Sequence, residues 1–117
     1  MKYKARKVEK EWGHEVWMSN NKEENYCGKI LHLNKGHKCS MHFHASKHES
    51  FYVLKGKALI RHIDTSTSEL RETTLAKGEC YEIDRFFPHQ IEALEDLDIV
   101  ESSTFHDDED SHRVWKD

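Results

Sequence analysis

Four side chains of ligand type, His42, His44, Glu49 and His89, constrain this chain more than any other feature. His42 and His44 are two residues apart, and in a strand side chains i and i+2 point to one face. Two imidazoles therefore project side by side from one short strand. Glu49 begins the apolar run that continues through Phe51-Tyr-Val-Leu54 after a turn of four residues, so a hairpin returns its carboxylate beside them. With Glu49 facing inward, Phe51 and Val53 face inward too. In the later run His89-Gln-Ile-Glu-Ala93, His89 shares its face with Ile91 and Ala93. All four groups thus fall on apolar inner faces, where a polar side chain needs a partner. One divalent transition metal, held by three imidazoles and a carboxylate, meets that need at once; zinc, iron, manganese and nickel all suit the donors.

The rest of the chain reads as all-β. Short β-rich runs recur at Glu15 to Met18, Tyr26 to Leu33, Cys39 to Phe43, Ser50 to Leu54, Ala58 to Ile63, Ser68 to Leu75, Cys80 to Ile83, Gln90 to Leu94 and Ile99 to Ser103. Turn signals such as Asn34-Lys-Gly36, Lys55-Gly56 and Lys77-Gly78 separate them, and no segment keeps a helical period. Evenly spaced strands without helices predict a sandwich or barrel. The chain is expected to be one domain: an N-terminal strand segment over 1–25, a metal-binding barrel over 26–105 and an acidic tail over 106–117.

Charge narrows the partners. The formal net charge is −4, which gives no support to nucleic-acid binding. No apolar run approaches the roughly 18 residues of a membrane helix, and no apolar stretch follows the basic start Met1-Lys-Tyr-Lys-Ala-Arg-Lys7. A cytoplasmic protein with a small-molecule ligand is the expectation. Cys27, Cys39 and Cys80 are odd in number and widely spaced, against a disulfide framework. They read as small buried side chains, with Cys39 on the face opposite His42.

The spacing also matches a family pattern. Gly36 through Gly56 fits Gly-x5-His-x-His-x4-Glu-x6-Gly, the first motif of the cupin superfamily, at every fixed position. Gly78 and His89 match the second motif, with Asp84 where the family often has Pro and Phe86 where it often has Gly. The resemblance implies a double-stranded β-helix, the cupin jelly-roll barrel, with His42, His44, Glu49 and His89 as the metal ligands. Outside those motifs, Glu11-Trp12-Gly13-His14-Glu15, Lys29 and the tail Glu101 to Arg113 resemble the cupin domain of type II phosphomannose isomerases, although those domains usually carry Gln where this chain has His42. The nucleotidyltransferase domain often fused in front of them is not in this sequence. This second resemblance implies metal-dependent aldose–ketose isomerisation of a sugar or sugar phosphate. Glu82 and Glu101 are then candidate bases, Lys29 a further catalytic candidate, and Lys29, Arg85 and Arg113 candidates for binding phosphate. A dioxygenase using the same ligands, or a sugar-binding module without turnover, is the alternative.

Most other conspicuous residues read as structural. His14, His37, His106 and His112 are expected at the surface, His48 facing away from the site, and His32 and His62 satisfied within the sheets. Trp17 and Tyr81 are expected to pack, and the acidic run Asp107-Asp-Glu-Asp110 to be solvated. Val8, Trp12, Val16 and Trp17 are large apolar groups near the N-terminus that a symmetric dimer would cover.

Overall fold

The computed structural model describes all 117 residues. Eleven strands run in chain order: β1 (Arg6–Lys10), β2 (Gly13–Asn21), β3 (Tyr26–Leu33), β4 (Met41–Phe43), β5 (Glu49–Lys55), β6 (Ala58–Asp64), β7 (Glu69–Leu75), β8 (Cys80–Ile83), β9 (His89–Ala93), β10 (Leu97–Ser103) and β11 (His112–Trp115). They form two antiparallel sheets, one of six strands in the order β1-β2-β3-β10-β5-β8 and one of five in the order β11-β4-β9-β6-β7. The fold is the all-β cupin jelly roll that the motifs imply.

Alternation builds the core. In β3, Cys27, Lys29, Leu31 and Leu33 are buried while the residues between them are partly exposed. Glu49, Phe51 and Val53 of β5 and Ile99 and Glu101 of β10 repeat the pattern. Leu31, Leu33, Phe51, Val53, Ile60, Ile91 and Ile99 meet between the sheets as one apolar cluster. Burying apolar side chains contributes about 1.5–3 kcal/mol each. The inward polar residues Lys29, Glu49, His89 and Glu101 are buried beside this cluster.

Turn chemistry sets the hairpins. Gly56 has φ +89°, and a Cβ there would collide with the Asp96 carbonyl oxygen, so the β5–β6 turn requires glycine. Phe86 takes φ +63° at the position where the family often has glycine. Its amide donates to the His44 carbonyl at 2.7 Å, which holds a conformation that L residues avoid.

Several expectations need correction. β1 and β11 show no alternation in sequence; β1 forms because Arg6 to Lys10 pair with Trp17 to Gly13, and β11 because it pairs with β4. Cys39 lies before β4, where its carbonyl accepts from Gln90 Nε2 and its sulfur from the Ile91 amide, so it turns inward rather than away from the site. Cys80 is exposed, because it lies on the outer face of the edge strand β8. Among the N-terminal apolar residues, Val8, Trp12 and Trp17 line this chain's own cavity, and only Val16 faces outward from β2. The acidic run is not simply solvated: Asp108–Asp110 forms a 3-10 turn, and Asp110 folds back onto the barrel.

Candidate metal centre and its cavity

Backbone register brings the histidines together. His42 of β4 pairs directly with His89 of β9, and His44 follows two residues later. Their ligating nitrogens lie within 4.8 Å of one another. Each ring is aimed by a backbone carbonyl: His42 Nδ1 by Ser40 at 2.9 Å, His44 Nδ1 by Asp110 at 2.9 Å and His89 Nδ1 by Phe87 at 2.8 Å. A carbonyl only accepts, so each Nδ1 carries the proton and each Nε2 keeps its lone pair for the centre.

Glu49 stands beside them. Its Oε2 lies 3.3 Å from His44 Nε2, and its Oε1 lies 4.0 Å from His89 Nε2. Oε2 is buried without a hydrogen-bond partner. Burial pushes His42 down to about 3, with His89 reinforcing the shift, and pushes His44 and His89 down to about 4. Neutral imidazoles therefore cannot donate Nε2 protons to the carboxylate. Burial and the nearby Glu101 charge push Glu49 up. Three converging Nε2 lone pairs, flanked by the Glu49 carboxyl, fit a divalent cation.

The centre faces a cavity of about 630 Å³ between the sheets, a size suited to a small molecule. Its other wall carries buried charges. Lys47 Nζ lies 2.6 Å from Glu101 Oε2 and 4.0 Å from Glu49 Oε2. Burial opposes ionisation of Glu101, but Lys47 and Lys29 overcome it and hold the carboxyl well below its usual range. Lys29 Nζ sits 4.1 Å over the Trp17 ring and 3.5 Å from Glu15 Oε1, and burial lowers its pKa. Lys47 also donates to His106 Nδ1 at 3.1 Å, and His106 Nε2 donates to Asp108 at 2.8 Å. The chain Asp108–His106–Lys47–Glu101 thus runs from the surface to the cavity wall.

Of the residues singled out from sequence, Lys29, Glu101 and Arg113 line this cavity together with the three histidines and Glu49. Glu82 and Arg85 do not. Glu82 points outward from β8 with its side chain 73% exposed and contacts His48 at 3.2 Å. Arg85 donates from Nε to the Ser46 carbonyl. Glu82 lies on the outer face of β8 and Arg85 in the exposed turn after it, so neither side chain lines this cavity. His32 is satisfied by Asp98 at 2.6 Å and His62 by the Tyr81 hydroxyl at 3.1 Å, within the sheets as expected.

Sequence reasoning missed Lys47, Glu15, His106 and Asp110. Lys47 was findable, since it precedes Glu49 by two and shares its phase. Glu15 likewise precedes Trp17 by two. His106 had no local signal: the Asn20 side chain, which bonds both its amide and its carbonyl, carries it to the cavity.

A family model described as "Polysaccharide biosynthesis C-terminal domain" matches residues 14–110. No curated protein matches the chain in sequence. Among solved structures, the capsular polysaccharide assembling protein CapF from Staphylococcus aureus is similar at TM-score 0.80 and 22% identity, over 97% of this chain and 33% of that one. Oxalate decarboxylase from Bacillus subtilis is similar at TM-score 0.80 and 16% identity, over 94% of this chain and 30% of that one. KdgF from Halomonas sp. is similar at TM-score 0.74 and 14% identity, over 92% of both chains. The chain spans about a third of the length of CapF, and these likenesses establish the shared cupin fold.

Proposed function

We propose that this chain, which belongs to the polysaccharide biosynthesis C-terminal domain family, is a metal-dependent cupin that moves a proton next to the carbonyl of a sugar or sugar phosphate. Aldose–ketose isomerisation of the mannose-6-phosphate isomerase kind is the concrete reaction. His42, His44, His89 and Glu49 would hold the ion, with zinc, iron, manganese or nickel suiting the donors. Such an ion supplies Lewis acidity, which polarises a sugar carbonyl and the oxygen beside it.

The observation that carries the reading is the charged wall facing the imidazole cluster. Glu101 is an ionised carboxylate buried at 3% exposure with a lysine ammonium 2.6 Å away, in a cavity sized for one sugar. Glu101 takes the proton from the substrate carbon, and Lys47 is its acid partner. Lys29, fixed under Trp17 and beside Glu15, binds a substrate oxygen that gains negative charge. Arg113 of β11 receives a phosphate at the cavity mouth. The family's tie to polysaccharide biosynthesis, and the likeness to a capsular polysaccharide assembling protein, favour a carbohydrate over other small acids.

We further propose one domain over 1–117, a cytoplasmic setting in which its three free thiols stay reduced, and a symmetric homodimer. The dimer reading rests on the outer face of the six-stranded sheet. There the register lines up Val16, Ile30, Val100 and Tyr52 in one cross-strand row.

Elemental analysis of protein purified without chelator, wild type against His44→Ala, is the first test, and equal metal content would sink the metal reading. A panel of hexose and pentose phosphates follows. Chelator should abolish isomerisation and added metal restore it, with Glu101→Gln inactive at unchanged metal content. Metal-replete protein that neither binds nor turns over any of the panel would end the sugar-phosphate reading.

A further inference from the structure

The C-terminal segment reaches the candidate metal centre through one residue. The Asp110 carbonyl accepts the Nδ1 proton of His44 at 2.9 Å. The carboxylate of the same residue accepts the amides of Ala45 at 2.8 Å, Ser46 at 3.0 Å and Lys47 at 3.1 Å. Those amides belong to the loop that joins His44 to Glu49 and carries Lys47. His42 and His89 take their orienting carbonyls from residues two positions before them in the chain. His44 takes its own from 66 positions away. β11 is an edge strand whose only partner is β4, and all four of its residues are exposed, so apolar packing does little to hold the segment in place. The carboxylate clamp on the loop, with the β4–β11 pairing after it and the Asn20 bonds to His106 before it, fixes the Asp110 carbonyl in front of His44.

We propose that Asp110 is a positioning residue for the metal centre: its carboxylate locks the tail to the 45–47 loop so that its carbonyl sets the tautomer and direction of His44. The inference rests on the metal reading above but assigns a role outside the ligand set. Without the lock, the His44 ring has no fixed acceptor at Nδ1. Either ring nitrogen can then carry the proton, and the Nε2 lone pair is aimed at the centre only part of the time.

Two measurements on the full chain test this. Cobalt affinity is read by competition with a chromophoric chelator for wild type, Asp110→Ala, Asp110→Asn and, as control, Glu109→Gln. Asp110→Ala should weaken cobalt binding by about 10–100-fold, the range that partners of metal-bound histidines show. Asp110→Asn should fall between, and Glu109→Gln, a neighbouring exposed acid of the same run, should match wild type. The second measurement is the ring-nitrogen NMR spectrum of metal-free protein. Wild-type His44 should be a single Nδ1–H tautomer, and the Asp110 variants should average the two. An Nε2–H tautomer in wild type would overturn the proposal even if no variant folds. Folded Asp110→Ala with wild-type cobalt affinity and an unchanged His44 tautomer would overturn it as well. A wild type that binds no cobalt would remove the metal reading instead, and the tautomer measurement would still decide whether Asp110 positions His44.

Discussion

Replacing Lys47 by Met tests how the buried charges are balanced. At an effective dielectric of about 20, the 2.6 Å contact with Glu101 is worth about 6 kcal/mol of Coulomb attraction. Desolvation of the two buried charges takes back much of this, so the net worth of the pair is small while the cost of breaking it is large. Lys47→Met leaves the Glu101 carboxylate buried without its nearest cation and should destabilise metal-free protein by about 3–5 kcal/mol. At about 4 °C per kcal/mol for a domain of this size, the melting midpoint drops by about 12–20 °C. Glu101→Gln should cost a similar amount by stranding Lys47. The double variant should lose clearly less than the sum, with a coupling of about 1.5 kcal/mol or more. Acid separates this mechanism from lost packing. In wild type the folded-state pKa of Glu101 is lowered, so its stabilisation is present above the unfolded carboxyl range and is lost as pH falls from there through the folded pKa. In Lys47→Met the stranded Glu101 carboxylate takes up a proton, so the variant's deficit shrinks between pH 7 and pH 4. Urea unfolding with chelator present, at both pH values, measures it. Additive single variants, or a deficit that stays constant or grows in acid, would refute the reasoning.

Metal-free protein should lose stability as pH falls from about 6.5 toward 4, because His42, His44 and His89 are neutral when folded and take protons when unfolded. Each tenfold loss of proton affinity on folding is worth about 1.4 kcal/mol, and saturating zinc should steepen the loss by adding proton competition for the same nitrogens; a flat chelator-treated profile over that range would contradict the buried neutral cluster. Phe86→Gly removes the positive-φ cost at the β8–β9 turn and should raise stability by about 0.5–1 kcal/mol, since the exposed ring loses little burial; thermal melts decide it, and a lower midpoint would mean the Phe86–Phe43 contact outweighs the strain. Light scattering at micromolar concentration should give twice the 13.9 kDa chain mass, and Val100→Lys should return it to one chain; a wild-type monomer ends the dimer proposal.

Strand reading from sequence succeeded where side-chain alternation was strong. β3 and β8 lie at the predicted bounds, and β5, β6 and β9 within one residue of them. It failed for β1 and β11, whose residues are mostly exposed and which exist because a neighbouring strand offers hydrogen bonds. Base candidates divided the same way. Glu101 alternates with Ile99 on a buried face, whereas Glu82 falls between Tyr81 and Ile83, both packed inward.

The short-range pattern of the chain determined the all-β class, the two cupin motifs and the four ligand-type residues, because period-two alternation and fixed spacing are local properties. Only the tertiary structure decided which charges share the cavity. Lys47 meets Glu101 across 54 positions, His106 is drawn in by Asn20, and Asp110 closes on the loop after His44. Those contacts depend on how the two sheets and the returning tail pack, and an exposed-looking acidic run carries no mark of the amides it will meet. The energy of such pairs comes from removing water around both partners, which no single segment can do alone.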